Sequence, residues 1–107
     1  MLNSKALQQI TTKVADAAHP TKIIVFGSYA RGQADEGSDL DLLVIEPFVS
    51  NKREEMVRLR LAIGDVGIGV DILVYSEEEV REWGSVPGGA LFTALREGKV
   101  TYEIPHR

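Results

Sequence analysis

The chain has 107 residues, 44 % of them hydrophobic, 12 basic, 16 acidic and none cysteine, for a formal net charge of −4. That length suits one domain spanning residues 1–107 with a modest core. The composition excludes disulfides and thiolate zinc sites, and its negative balance argues against broad binding to a nucleic-acid backbone. No secretory h-region follows the N-terminus, and the apolar runs at 23–26 and 42–45 are too short to span a bilayer. A cytoplasmic protein without membrane attachment is the expectation.

The predicted elements run as follows. Leu7, Ile10, Val14 and Ala17 recur at helical spacing, so residues 4–18 read as a helix capped by Asn3 or Ser4 and stopped before Pro20. Residues 22–26 are β-branched and apolar, which reads as a buried strand. Gly27-Ser28 breaks it, and Tyr29-Ala30-Arg31 suits one helical turn before a polar loop at 33–37. Residues 38–45 form a second strand, apolar on both faces from Leu42 onward and therefore central.

A helix over 51–63 follows, capped by Asn51 with Glu54 in the reciprocal position, and Glu54 stands four residues before Arg58. Residues 69–75 read as a third strand, and Ser76 with Glu79 opens another helix through a capping box. A last helix over 89–97 stops at Gly98, and 99–103 is a short closing strand. Two strands in succession break strict alternation, so the fold class is α+β, a mixed sheet with flanking helices.

The chemistry concentrates around two segments. Asp39 and Asp41 lie two apart at the start of a strand and project to one side. Such a pair repels unless a positive charge stands between, and Mg²⁺ accepts carboxylate and phosphate oxygens together. Asp71 is the sole charge in Val70-Asp71-Ile72-Leu73-Val74, where an acid is costly unless paired or metal-bound. If the two strands adjoin, three carboxylates can hold two ions about 4 Å apart, the arrangement of phosphoryl transfer.

Gly27 permits a sharp turn and a close backbone approach, the Ser28 hydroxyl adds a donor, and Arg31 shares the Ser28 face. Each part has a plainer reading: a turn, a solvated acid pair, a buried ion pair, a surface arginine. The combination is far more specific than any part.

Residues 26–44, FGSYARGQADEGSDLDLLV, resemble the signature of the DNA polymerase β-like nucleotidyltransferase superfamily, and the short length resembles its minimal nucleotidyltransferase (MNT) domains. The ending Arg96-Glu97-Gly98-Lys99-Val100 resembles that family too. The resemblance implies a polymerase β palm-like fold. It implies that Gly27 and Ser28 grip the triphosphate, with Arg31 beside them. It implies that Asp39, Asp41 and Asp71 are catalytic metal ligands for Mg²⁺, with ATP as donor. MNT domains pair with HEPN-domain toxins, so the resemblance further implies an antitoxin that forms a hetero-oligomer with its toxin and transfers AMP to a toxin tyrosine, as in type VII-like pairs.

Two other classes compete: an antitoxin that acts by binding alone, and a catalytic subunit acting on a small molecule or RNA. A P-loop is excluded by the absence of Gly-x4-Gly-Lys-Ser/Thr, and Gly64, Gly67 and Gly69 precede a strand rather than follow one. Lys52, Arg53, Arg58 and Arg60, interrupted by Glu54 and Glu55, read as a solvated helix face. Trp83, Leu91 and Phe92 read as core in preference to a partner-binding surface, and His19 and His106 as exposed polar residues.

Overall fold

The structure is a computed structural model that describes residues 2–105, so His106 lies outside the described residues. Its elements are α1 (Ser4–Ala18), β1 (Lys22–Phe26), β2 (Leu40–Glu46), α2 (Lys52–Ile63), β3 (Val70–Ser76), α3 (Glu77–Trp83), α4 (Ala90–Glu97) and β4 (Lys99–Glu103). The four strands form one sheet in the order β3-β2-β1-β4. β1 runs antiparallel to β2 and β4, while β2 and β3 are parallel, so the sheet is mixed, as expected.

Local chemistry accounts for the element ends. Asn3 accepts from the Ala6 N–H and Asn51 from the Glu54 N–H, each satisfying a donor that the first helical turn leaves free. Ser76 and Glu79 form the full reciprocal capping box. His19 closes α1 in the left-handed region, at φ 48°, and its side chain is exposed. Arg58 pairs with Glu55, one turn away, rather than with Glu54: its Nε donates to Oε1 and its Nη2 to Oε2, both at 2.8 Å.

The sheet is covered on both faces. Ile10 and Val14 of α1 and Leu59 and Ile63 of α2 pack on Leu40, Leu42 and Val44 of β2 and Val70 and Val74 of β3. Leu91 and Ala94 of α4 pack on Ile24, Leu43 and Ile45 from the other side. Leu40, Leu42, Leu43 and Val44 are fully buried, as a central strand apolar on both faces requires. Among the described residues, no helix is long and apolar enough to cross a membrane.

Candidate functional site

The parity of β2 decides where its acids go. Leu40, Leu42 and Val44 fill the face under α1 and α2, so Asp41 shares the opposite face with Leu43 and Ile45. That face is roofed by α4 only over the far part of the strand. Asp41 lies at the start of β2, opposite Phe26, the last residue of β1. The Gly27–Ser28 turn and the first residues of β2 and β3 therefore meet at one margin of the sheet.

β2 and β3 pair with Asp41 opposite Asp71. In a parallel ladder, residues in register project to the same face, so both carboxylates emerge side by side. Asp39, two residues before Asp41, stands over Gly69. A Cβ on Gly69 would lie 2.8 Å from the Asp39 carboxyl carbon, so a larger residue there would displace that side chain. Gly27 plays the same part for Asp41: its φ is +72°, and a Cβ would lie 3.2 Å from the Asp41 carboxyl carbon, with Oδ2 nearer still. Sequence reasoning took Gly69 for a strand start; its spacing, two before Asp71 as Asp39 is two before Asp41, was the available signal.

The electrostatics follow from this crowding. Burial raises the Asp41 pKa first, the Asp71 charge adds to it, then the Asp39 charge, and Arg31 opposes them. Among the described residues, none of these three aspartates makes an ion pair. Among them too, no three His, Cys, Asp or Glu side chains stand together at metal-ligating distances. The donor chemistry nonetheless suits a hard divalent cation: three carboxylates, one of them raised in pKa by burial first and then by its neighbours' charges, with glycines holding space beside two of them.

The turn is a tight one. The Arg31 N–H donates to the Gly27 carbonyl at 3.1 Å and the Gln33 N–H to the Ser28 carbonyl at 2.9 Å. The N–H groups of Ser28, Tyr29 and Ala30 find no acceptor among the described residues, which leaves them available to an anion. Arg31 is at the rim. Its Nε donates to Gln33 Oε1 at 3.0 Å, and its guanidinium lies 3.8 Å from the Glu97 carboxylate. Glu97 was not among the sequence candidates, because only the packing of α4 brings it to the turn.

One expectation needs correction elsewhere. Trp83 is 58 % exposed rather than core; it ends α3 and lines a shallow pocket with Tyr75, Val86 and Phe92, while Leu91 is buried as expected. Arg53, Arg58 and Arg60 of α2 are exposed, as a solvated face requires, and Lys52 is half-buried. Lys52 pairs with Glu79 at 2.6 Å and lies over the Tyr75 ring, Arg58 pairs with Glu55, and the Arg60 guanidinium donates to the Val70 carbonyl.

Known proteins share the fold and the family of this chain. A nucleotidyltransferase domain family matches residues 7–79, a span that includes the turn and all three aspartates. A candidate nucleotidyltransferase from Sulfolobus solfataricus shares the fold, with 22 % identity, TM-score 0.63, and coverage of 92 % of this chain and 78 % of that one. A toxin–antitoxin structure with AMP-PNP shares it at 19 % identity and TM-score 0.59, covering 91 % and 73 % respectively. Among curated proteins, none matches the chain. With the family match covering more than half of its length, this chain belongs to the nucleotidyltransferase domain family.

Proposed function

We propose that this protein transfers AMP from ATP to a hydroxyl of a partner macromolecule, and that the acceptor is a tyrosine of a HEPN-domain toxin, with this chain as its antitoxin in a cytoplasmic hetero-oligomer. The observation that carries the reading is the pairing of Asp41 with Asp71 on the face shared by Asp39, beside the Gly27–Ser28 turn. The family match supports nucleotidyl transfer, and the likeness to a toxin–antitoxin structure with AMP-PNP supports a nucleotide ligand and a toxin partner.

Asp39, Asp41 and Asp71 hold Mg²⁺, two ions in this reading, which when bound neutralises charge on the triphosphate and orients it. Gly27 keeps the turn close to the phosphates, and the Ser28 hydroxyl and the free N–H groups of the turn donate to their oxygens. Arg31 exchanges its exposed partners, Gln33 and Glu97, for a phosphate oxygen. Asp71, the exposed member of the paired carboxylates, accepts the proton of the attacking hydroxyl. The acceptor oxygen forms a bond to the α-phosphorus as the bond to pyrophosphate breaks, and pyrophosphate leaves.

The test is incorporation of α-labelled ATP into the cognate partner with Mg²⁺, wild type against Asp39→Asn plus Asp41→Asn. Label that depends on both aspartates is the expected result. Full neutralisation by the double variant, with no label in either case, leaves binding alone as the mode of action.

A further inference from the structure

The side of α2 that faces β3 carries a groove of about 410 Å³, walled by Arg53, Val57, Arg60 and Leu61 and ending at Asp71 and Ile72. Three of its properties are unexpected on a small soluble domain. Leu61 is 76 % exposed and Val57 55 %, so the outer face of α2 turns apolar side chains to water instead of burying them. β3 is an edge strand with no Pro or Lys to blunt it. Among the described residues, Arg53 and Arg60 have no carboxylate partner, in contrast to Lys52 and Arg58.

The edge is open in a specific way. The Leu40 N–H donates to the Gly69 carbonyl, so residues 69, 71, 73 and 75 point their main-chain groups at β2. Val70, Ile72 and Val74 point theirs outward. The Arg60 guanidinium occupies the Val70 carbonyl, and the backbone groups of Ile72 and Val74 remain for a further strand.

We propose that this groove is the acceptor-docking surface, and that its occupant is an extended acidic segment of a partner protein. This rests on the transferase reading above and names how the acceptor comes alongside β3: the Asp71 carboxylate projects to the face away from α2, so the side chain that meets it is a neighbour, along the segment, of the one seated in the groove. The segment adds to the outer edge of β3, seats an apolar side chain against Val57 and Leu61, and sets its own carboxylates beside Arg53 and Arg60. An RNA acceptor is disfavoured by the apolar floor, which offers a phosphate backbone nothing in place of its hydration.

The probes are a tyrosine peptide of alternating Glu and Val, its counterpart with Lys in place of Glu, and a single-stranded RNA. Each is followed by fluorescence anisotropy and by transfer of AMP from labelled ATP. The Glu peptide is expected to bind and to be labelled about tenfold more efficiently than the Lys peptide, a difference of about 1.4 kcal/mol. Leu61→Asp is expected to weaken its binding about tenfold, raising KM and leaving kcat and ATP affinity unchanged. Arg53→Glu is expected to narrow the preference for Glu over Lys. Both positions are exposed, and Leu61→Ala provides a milder version at the same place.

Equal treatment of the two peptides, indifference to Leu61→Asp and Arg53→Glu, labelling of RNA in their stead, or no binding of the Glu peptide overturns the docking surface. Glu-peptide binding that Leu61→Asp weakens, without any label appearing, keeps the docking surface and rejects the transferase reading. Peptide labelling that ignores both substitutions does the reverse.

Discussion

Strand β2 carries carboxylates at both ends, and the two ends treat them in opposite ways. At the start, Asp39 and Asp41 stand beside Asp71 with no basic side chain paired to them among the described residues, in a margin open to solvent. At the finish, Glu46 is 6 % exposed and sealed against Glu55 and Arg58 of α2. As a carboxylate it leaves Oε2 buried without a hydrogen-bond donor; protonated, it donates to Glu55. Burial first, then that hydrogen bond and the Glu55 charge, push its pKa up to about 8. One end of the strand disperses charge by keeping a proton. The other crowds three carboxylates together with Asp41 half-buried among them, which is costly to the fold and useful only if a cation arrives.

Breaking the first end has the largest consequence. Asp39→Asn with Asp41→Asn should lower AMP transfer by at least about 100-fold, read by label incorporation. The same change should raise the melting temperature without Mg²⁺, because it removes a charge that burial first, and then the Asp71 and Asp39 carboxylates, disfavour at Asp41. A variant that is both inactive and less stable would contradict the account of this end as strained for function.

Gly27→Ala attacks the same margin through the backbone. The left-handed conformation at φ +72° should cost about 1–2 kcal/mol, and the added Cβ forces the Asp41 carboxyl aside. Chemical denaturation gives the first effect and a weaker affinity for Mg²⁺-ATP, by calorimetry, gives the second.

The other end is sharpened by pH. The native state holds the Glu46 proton over a range where the unfolded chain has released it. That contribution is complete below the ordinary value of 4.5 and is lost as pH rises to about 8, so stability falls across this window. Glu55, whose pKa is lowered chiefly by Arg58, acts with the opposite sign and only at pH below its ordinary 4.5. Glu46→Gln, which mimics the protonated form, should flatten the decline and stabilise the protein at pH 8 by about 1 kcal/mol or more. Melting curves from pH 5 to 8 measure this, and AMP transfer at fixed pH should be unchanged. Smallest of all, Trp83→Ala should alter stability by less than about 0.5 kcal/mol, the ordinary range for an exposed site.

Much of the molecule was legible before any coordinates. The apolar spacing in α1, the run from Leu42, and the caps at Asn3, Asn51 and Ser76 located the start of every element to within two residues, while the end of α3 carried no signal. These signals are local, since a cap or a periodic face is complete within a turn or two of chain. The candidate site was legible for a related reason: Gly27, Ser28, Asp39 and Asp41 fall within one hairpin-like segment of the sequence. Arg31 was placed correctly on the turn, but its neighbour Glu97 comes from α4 and could not be foreseen. The exposure of Trp83 was also missed, because aromatic character is the same for a buried ring and a rim residue.

The amino-acid order alone determined that three aspartates existed in strand-like settings near a glycine–serine turn, because residue type and spacing are properties of neighbouring positions. Only the tertiary structure decided that β3 lies parallel to β2 with Asp71 beside Asp41, that Gly69 stands under Asp39, and that Glu46 is closed off by α2. Those relations join segments about 10 to 30 residues apart, and they are set by which faces can be buried together rather than by any preference the separate segments express.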